Sequence, residues 1–377
     1  MSLLMVAILM QVNTQIAANF LVSPALDMAQ MKVLSIMVKT KVISHRTGIY
    51  SGEVEVVELE NDLLKISILA GRGADLAELT YKPMNFNLAW QTSTGWPTKK
   101  TAINHPADVE SFLIGYPGGW QSVFPNGGAP SKYKGIEFGQ HDEVSMLAWD
   151  YEVIKDDEDE ISVKFMTFTQ KVKFKYEKTF TLRKGQARVF LEEKITNLAN
   201  EKAEAMWGNH ISFGEPFLDE FSTVEVDAST KVIPHPEAIS SVGRRIGSTE
   251  EFSWPNAVGE NGEALDFSRI PKRKTKSEIL YLHGFKEATY LVKSPTTGLA
   301  ARVSWDRKNF PYLWFWQEFG GANEYPWFGN HFNIGLEPFS SYPTNGLAEA
   351  VSNGSALVFA PLEEKTSSLS FEVLEIS

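Results

Sequence analysis

Residues 53–59 read Glu-Val-Glu-Val-Val-Glu-Leu, an alternation of apolar and polar positions that predicts a half-buried strand. Residues 64–68 repeat the pattern after the turn-like Asn61-Asp62. The same style recurs at 144–153, 161–169, 172–182 and 188–196, the last two joined by the turn Arg183-Lys184-Gly185. Further strands are expected at 203–213, 222–227, 288–293, 299–305, 312–319, 356–359 and 367–374. Helical periodicity is scarce. Many short strands separated by turn signals predict an all-β sandwich or barrel.

Between these segments lie three long irregular stretches, 92–143, 230–278 and 320–345. Long loops in a compact domain tend to carry function. The acidic run Asp156-Asp157-Glu158-Asp159-Glu160 falls between two expected strands and reads as a solvated hairpin loop. Lys272, Arg273, Lys274 and Lys276 read as an exposed loop. No solenoid or propeller period and no interdomain linker is visible, so residues 45–377 are expected to form one domain and residues 1–44 an extension. The apolar run from Leu3 to Met10 is too short to span a bilayer and lacks the basic residues and cleavage site of an export signal. A cytoplasmic protein is expected.

Composition narrows the class. A formal net charge of −11 argues against nucleic acid or anionic membrane as a partner, because phosphate contacts need clustered Lys and Arg. The absence of cysteine excludes disulfides, thiolate metal sites and a Cys nucleophile. The ten tryptophans fit either the packing of a large β core or a cleft that stacks on the apolar faces of sugars.

No phosphate-binding glycine loop, helical zinc motif or nucleophile elbow is present. Four other constellations remain. Gly71-Arg72-Gly73 places a guanidinium between flexible residues, where it could fork onto hydroxyls or pair with Asp75 or Glu78 to fix a turn. The run Gly118-Gly119-Trp120 through Phe124-Pro125-Asn126-Gly127-Gly128 is a shaped loop leading to Gln140-His141-Asp142-Glu143. These last three residues alternate faces on an extended chain, so a shared metal ion is not expected. His210 lies in the aromatic segment 206–213 and fits either a satisfied core histidine or a working one. Glu337, in Asn333-Ile334-Gly335-Leu336-Glu337-Pro338, is costly in so apolar a setting unless it is paired or working. Burial there would raise its pKa toward the range of a general base. Trp314 to Gly321, with Gln317, resembles a sugar subsite in residue type.

Taken in order, Gly119-Trp120 through Asn126-Gly127-Gly128 to His141-Asp142-Glu143, then Trp207-Gly208-Asn209-His210, Trp316-Gln317-Glu318 and Gly335-Leu336-Glu337-Pro338, resemble the aldose 1-epimerase-like branch of the galactose mutarotase superfamily. The resemblance covers about residues 45–377 and is closest to a poorly characterised branch. It implies a β-supersandwich of large antiparallel sheets with a concave sugar-binding face. It also implies Glu337 as catalytic base, His210 as acid, and Arg72 and His141 as binders of sugar hydroxyls, with Trp120, Asn126 and Gln317 in substrate-binding positions. The acidic binding residue expected near 280–290 has no clear counterpart, which puts galactose itself in doubt. The implied ligand is a small carbohydrate, and neither metal nor organic cofactor is required.

Mutarotation opens a hemiacetal ring: a base takes the proton of the anomeric hydroxyl, an acid protonates the ring oxygen, and rotation before reclosure gives the other anomer. Two other epimerase-fold readings stay open. A hexose-6-phosphate 1-epimerase would need a second basic residue at the pocket, with Lys82, Lys132 and Lys134 as candidates. A non-catalytic carbohydrate-binding module would keep the pocket alone. A glycoside hydrolase would need a second carboxylate facing the same bond, for which Glu318 is the best candidate.

Overall fold

Alternation of apolar and polar side chains along many strands accompanies two large antiparallel sheets in the computed structural model, which describes residues 37–47, 50–92, 95–96 and 111–376. The larger sheet runs Met37–Thr47, Tyr50–Glu60, Leu64–Leu69, Asp75–Tyr81, Trp120–Val123, Gly208–Gly214, Asn333–Phe339, Tyr312–Phe319, Thr275–His283, Lys231–Pro234 and Phe252–Ser253. The two-residue strand Phe86–Asn87 pairs with Asp75–Tyr81 off this path. The second sheet runs Thr223–Val226, Thr289–Ser294, Leu299–Trp305, Glu364–Glu375, Arg188–Asn197, Phe174–Arg183, Glu160–Phe168 and Asp150–Asp156. The fold is the all-β sandwich that the strand pattern predicts. Residues Ile36–Ser377 form one compact unit. The expected extension and its apolar run fall mostly or wholly outside the described residues. Among the described residues no helix is long and apolar enough to cross a membrane.

Burial patterns distinguish the two sheets. Phe174–Arg183 alternates almost perfectly between buried and half-buried positions, as a strand with one wet face must. Gly208–Gly214 and Asn333–Phe339 are buried at every position, and Tyr312–Phe319 at all but the first. These central strands are covered twice. One face meets the second sheet through a core that includes Phe180, Leu182, Leu191, Ile211, Leu336 and Phe371. The other face is roofed by the irregular segments and holds a separate aromatic cluster with Tyr116, Tyr281, Trp314, Trp316 and Phe339.

Between the sheets lies a buried polar layer. Lys178 and Glu193 are cross-strand partners. The Lys178 ammonium donates to the Gly73 carbonyl at 2.9 Å and to Ser122 Oγ at 3.0 Å, and it sits 4.6 Å from the Trp149 ring centre. Glu193 accepts hydrogen bonds from Tyr176, Ser122 and Asn209, the last at 2.9 Å. Asn209 Oδ1 in turn accepts the Trp120 indole N–H at 2.7 Å. Burial pushes the Lys178 pKa down to about 8, a shift that Asp75 and Glu193 oppose. Two charges in the core persist here because each is hydrogen-bonded and partnered.

Most expected strands form within a residue or two of their predicted bounds. The exceptions have local causes. The strand expected at 144–153 begins at Asp150, because residues 140–148 turn to follow Phe124-Pro125. The segment 203–213 breaks into Ala203–Ala205 and Gly208–Gly214, which pair with different partners. All three stretches read as irregular contribute to the large sheet: Trp120–Val123 from 92–143, Lys231–Pro234, Phe252–Ser253 and the start of Thr275–His283 from 230–278, and Asn333–Phe339 from 320–345.

Candidate active site

The covered face of the large sheet holds a cavity of about 360 Å³. This is within the range of small-ligand sites. Strand parity decides what enters it. Along Gly208–Gly214, Trp207 and Asn209 face the inter-sheet core, while His210 faces the cavity. On the neighbouring strand Leu336 packs in the core and Glu337 faces the cavity. The two side chains converge, with His210 Nε2 3.4 Å from Glu337 Oε1. Two glycines keep the space open. A Cβ at Gly335 would lie 2.5 Å from Glu337 Oε1, and one at Gly208 would lie 2.3 Å from the Phe339 ring, which stacks on Trp314.

Glu337 is 2% exposed and its Oε2 has no hydrogen-bond partner. Burial raises its pKa well above the usual carboxylate value. Burial pushes His210 down to about 3, partly offset by a backbone hydrogen bond. Both shifts favour the uncharged forms, the carboxyl of Glu337 and the neutral imidazole of His210. His210 Nδ1 is 3.2 Å from Ser212 Oγ and 3.3 Å from Tyr116 OH, and these two hydroxyls are 2.6 Å apart. Ser212 is two residues along the same strand, so it shares the His210 face.

His141 forms the adjoining wall, its ring centre 5.4 Å from that of His210. The Gly128 N–H donates to His141 Nδ1 at 3.2 Å. A neutral ring with Nδ1 accepting carries its proton on Nε2. Burial, and secondarily His210, lowers the His141 pKa well below its ordinary value, which keeps the ring neutral. His141 therefore offers a donor. Its neighbours turn elsewhere: Asp142 pairs with Lys171, and Glu143 accepts the Gln170 and Lys171 backbone N–H groups. Among the described residues no cluster of His, Asp or Glu could hold a metal ion.

A third histidine, His235, lines the cavity from the irregular stretch after Lys231–Pro234. Its Nδ1 lies 2.6 Å from Tyr281 OH, which also accepts the Thr344 backbone N–H at 2.9 Å. Burial, and secondarily Arg244, pushes His235 down to about 4. Sequence reasoning did not single out His235, Tyr116, Trp327 or Asn345. The proline-flanked Pro234-His235-Pro236 was a usable signal. Tyr281 stands near where the acidic binding residue was expected.

Four of the sequence-expected binders do not line the cavity. Trp120 points into the inter-sheet core and bonds Asn209, whereas its neighbour Gln121 pairs with His210 in register. Gln317 also lies on the opposite face from Trp316 and accepts a hydrogen bond from Arg245. Asn126 braces the loop itself, donating to the Ala129 and Gly139 carbonyls at 3.0 and 2.9 Å and accepting the Leu347 N–H at 2.7 Å. Arg72 is buried beside Asp75 and donates to the Gly115 carbonyl, just before Tyr116. Its position supports the cavity wall from behind. Glu318 is likewise outside the cavity, accepting hydrogen bonds from Ser277, Gly320 and Ala322. Lys82, Lys132 and Lys134 are engaged by Glu60, Glu137 and Glu204. Among the described lining residues there is no Lys or Arg.

The family model described as Domain of unknown function (DUF4432) matches residues 51–373. No curated protein sequence matches the chain. Solved structures share the fold. A candidate aldose 1-epimerase of Klebsiella pneumoniae aligns with a TM-score of 0.70 at 15% identity, over 93% of this chain and 86% of that one. A galactose mutarotase-like protein of Clostridium acetobutylicum gives 0.62 at 14% identity, over 91% and 99%. The Slr1438 protein of Synechocystis gives 0.59 at 16% identity, over 90% and 100%. At such identities the likeness is one of fold.

Proposed function

The chain belongs to the DUF4432 family and shares the fold of galactose mutarotase-like proteins, and from that premise we propose that it is an aldose 1-epimerase acting on an uncharged sugar. The observation that carries this reading is the approach of His210 Nε2 to Glu337 Oε1 at 3.4 Å where both side chains line the cavity. The anomeric hydroxyl oxygen and the ring oxygen are both bonded to C1. An acid and a base this close together can therefore address both without moving apart.

In one direction Glu337 takes the proton of the anomeric hydroxyl while His210 protonates the ring oxygen. The C1–ring oxygen bond breaks and leaves an open-chain aldehyde. Rotation about C1–C2 presents the other face of the carbonyl, and reclosure runs the proton transfers backwards. The pair needs one proton in total. With the carboxyl protonated and the imidazole neutral the roles are exchanged, so either form can begin a turnover. General acid–base help of this kind is worth on the order of 10²–10⁴-fold. His141 Nε2–H is placed to bind a sugar hydroxyl, and the Trp316 face suits the apolar side of a pyranose.

The phosphate reading lacks support, because no described lining residue is cationic. The hydrolase reading lacks its second carboxylate, since Glu318 is committed outside the cavity. A pure binding module would not require a carboxylate with an unpartnered buried oxygen. The test is anomer exchange by saturation-transfer NMR on a panel of aldoses and hexose 6-phosphates. Accelerated exchange in wild type that is lost in Glu337→Gln is the expected result. Binding to the panel without acceleration of any member refutes catalysis.

A further inference from the structure

The cavity wall continues outward into an aromatic loop that the one-ring chemistry does not use. Trp327 lines the cavity, its ring centre 5.2 Å from that of Trp316. Tyr325 and Phe328 flank it in sequence, stand 6.0 Å apart edge to face, and are 45% and 60% exposed. Three aromatics thus fall within four residues, one lining the cavity and two exposed beside it in the same loop.

The loop is held in place. Gly329 N–H donates to the Ala322 carbonyl at 2.7 Å, and the Trp327 and Phe328 N–H groups donate to the Glu324 carbonyl at 3.0 and 2.9 Å. The Glu324 carboxylate accepts the Ser241 N–H at 2.7 Å and its hydroxyl at 2.9 Å. Phe328 adopts a left-handed backbone with φ of 48°, a conformation unfavourable for a bulky residue. A phenyl ring this exposed buries too little surface there to offset that cost. Stability does not account for the residue type at this position.

We infer that Tyr325 and Phe328 form a second sugar subsite, which stacks on the next ring of an oligosaccharide whose reducing-end ring occupies the cavity. This rests on the reading of the cavity as the place where a free anomeric centre reacts. That chemistry consumes only the reducing end, so the rest of a longer saccharide must leave through the mouth. The occupant of the loop is then fixed by continuity: a sugar ring presents C–H groups on its face, and exposed aromatic rings are the surface that matches them.

The experiment pairs monosaccharides with disaccharides that carry them at the reducing end, glucose with maltose and cellobiose and galactose with a disaccharide whose reducing-end ring is galactose. Wild type is compared with Tyr325→Ala, Phe328→Ala and the double variant. Anomer exchange and ligand line-broadening are both read, and thermal melting checks the fold. The expected result is a KM or Kd for the disaccharides raised about tenfold in the double variant, with kcat and every monosaccharide parameter unchanged. Equal effects on both classes, no effect on the disaccharides, or failure of any disaccharide to bind overturns the subsite. If no sugar shows accelerated exchange but disaccharide binding is weakened selectively, the catalytic reading falls and the subsite stands.

Discussion

Glu337→Gln separates the chemistry of the carboxylate from its cost. The substitution keeps the shape of the side chain and removes one ionisation. In the folded protein burial raises the Glu337 pKa well above 4.5, whereas in the unfolded chain it stays near the ordinary value. The stability that this group contributes is therefore complete below about pH 4.5 and is lost as pH rises toward the folded pKa. The slope is about 1.4 kcal/mol per pH unit for one proton. Glutamine carries no such term. The variant should gain on wild type by at most about that slope per unit as pH rises from the ordinary carboxylate value toward the raised folded one. Activity should move the other way, falling on the order of 10²–10⁴-fold at every pH. The assay is urea unfolding of both proteins from pH 5 to 8, alongside anomer exchange on the same samples. A stability gap that stays flat across this range would show that the carboxyl ionises normally, and the account of the pair would fail.

Other perturbations test neighbouring parts of the same reasoning. Combining Tyr116→Phe with Ser212→Ala removes both partners of His210 Nδ1; kcat should fall about tenfold or more with KM little changed, and a change in KM alone would refute an orienting role. His235, pushed down to about 4, contributes stability that is present above pH 6.5 and lost as pH falls toward 4. His235→Asn should therefore narrow its stability deficit against wild type between pH 6.5 and 4.5, by no more than about 1.4 kcal/mol per unit, and a constant deficit in urea titrations would count against it. In the inter-sheet layer, Lys178→Met strands the Glu193 carboxylate and should cost ~3–5 kcal/mol, while adding Glu193→Gln should restore part of the loss. Additive costs in that double-mutant cycle would show that the two charges are not coupled.

The proposed pair, Glu337 and His210, was legible because polarity broke an apolar run at two places. A carboxylate in Ile334-Gly335-Leu336-Glu337 and an imidazole among Trp207, Ile211 and Phe213 are anomalies in any strand, and the resemblance gave them roles. The binding residues around them were harder. Glycine-rich and aromatic strings mark where the chain passes the cavity, but a strand places each residue on one of two faces. In strands with a wet face, hydrophobic alternation announces which face is which. The strands beneath this cavity are buried on both sides, so that signal is missing. Trp120 and Gln317 were assigned to the ligand and belong to the opposite face, each one residue away from a side chain that faces the cavity side.

The same logic explains why the unanticipated residues come from loops. Tyr116, His235 and Thr344 lie in segments without a period, where only tertiary hydrogen bonds fix the course of the chain. The sheet supplies the reacting pair in a geometry that neighbouring strands enforce. The loops supply the walls, and their side chains are free to differ while the pair stays put. A shared fold at 14–16% identity is a likeness of scaffold and does not fix the ligand. Specificity should accordingly move with the loop positions, His235, Trp327 and the Tyr325–Phe328 ledge. Substitutions there should change the ranking of sugars, and substitutions at Glu337 and His210 should lower the rate with all of them alike.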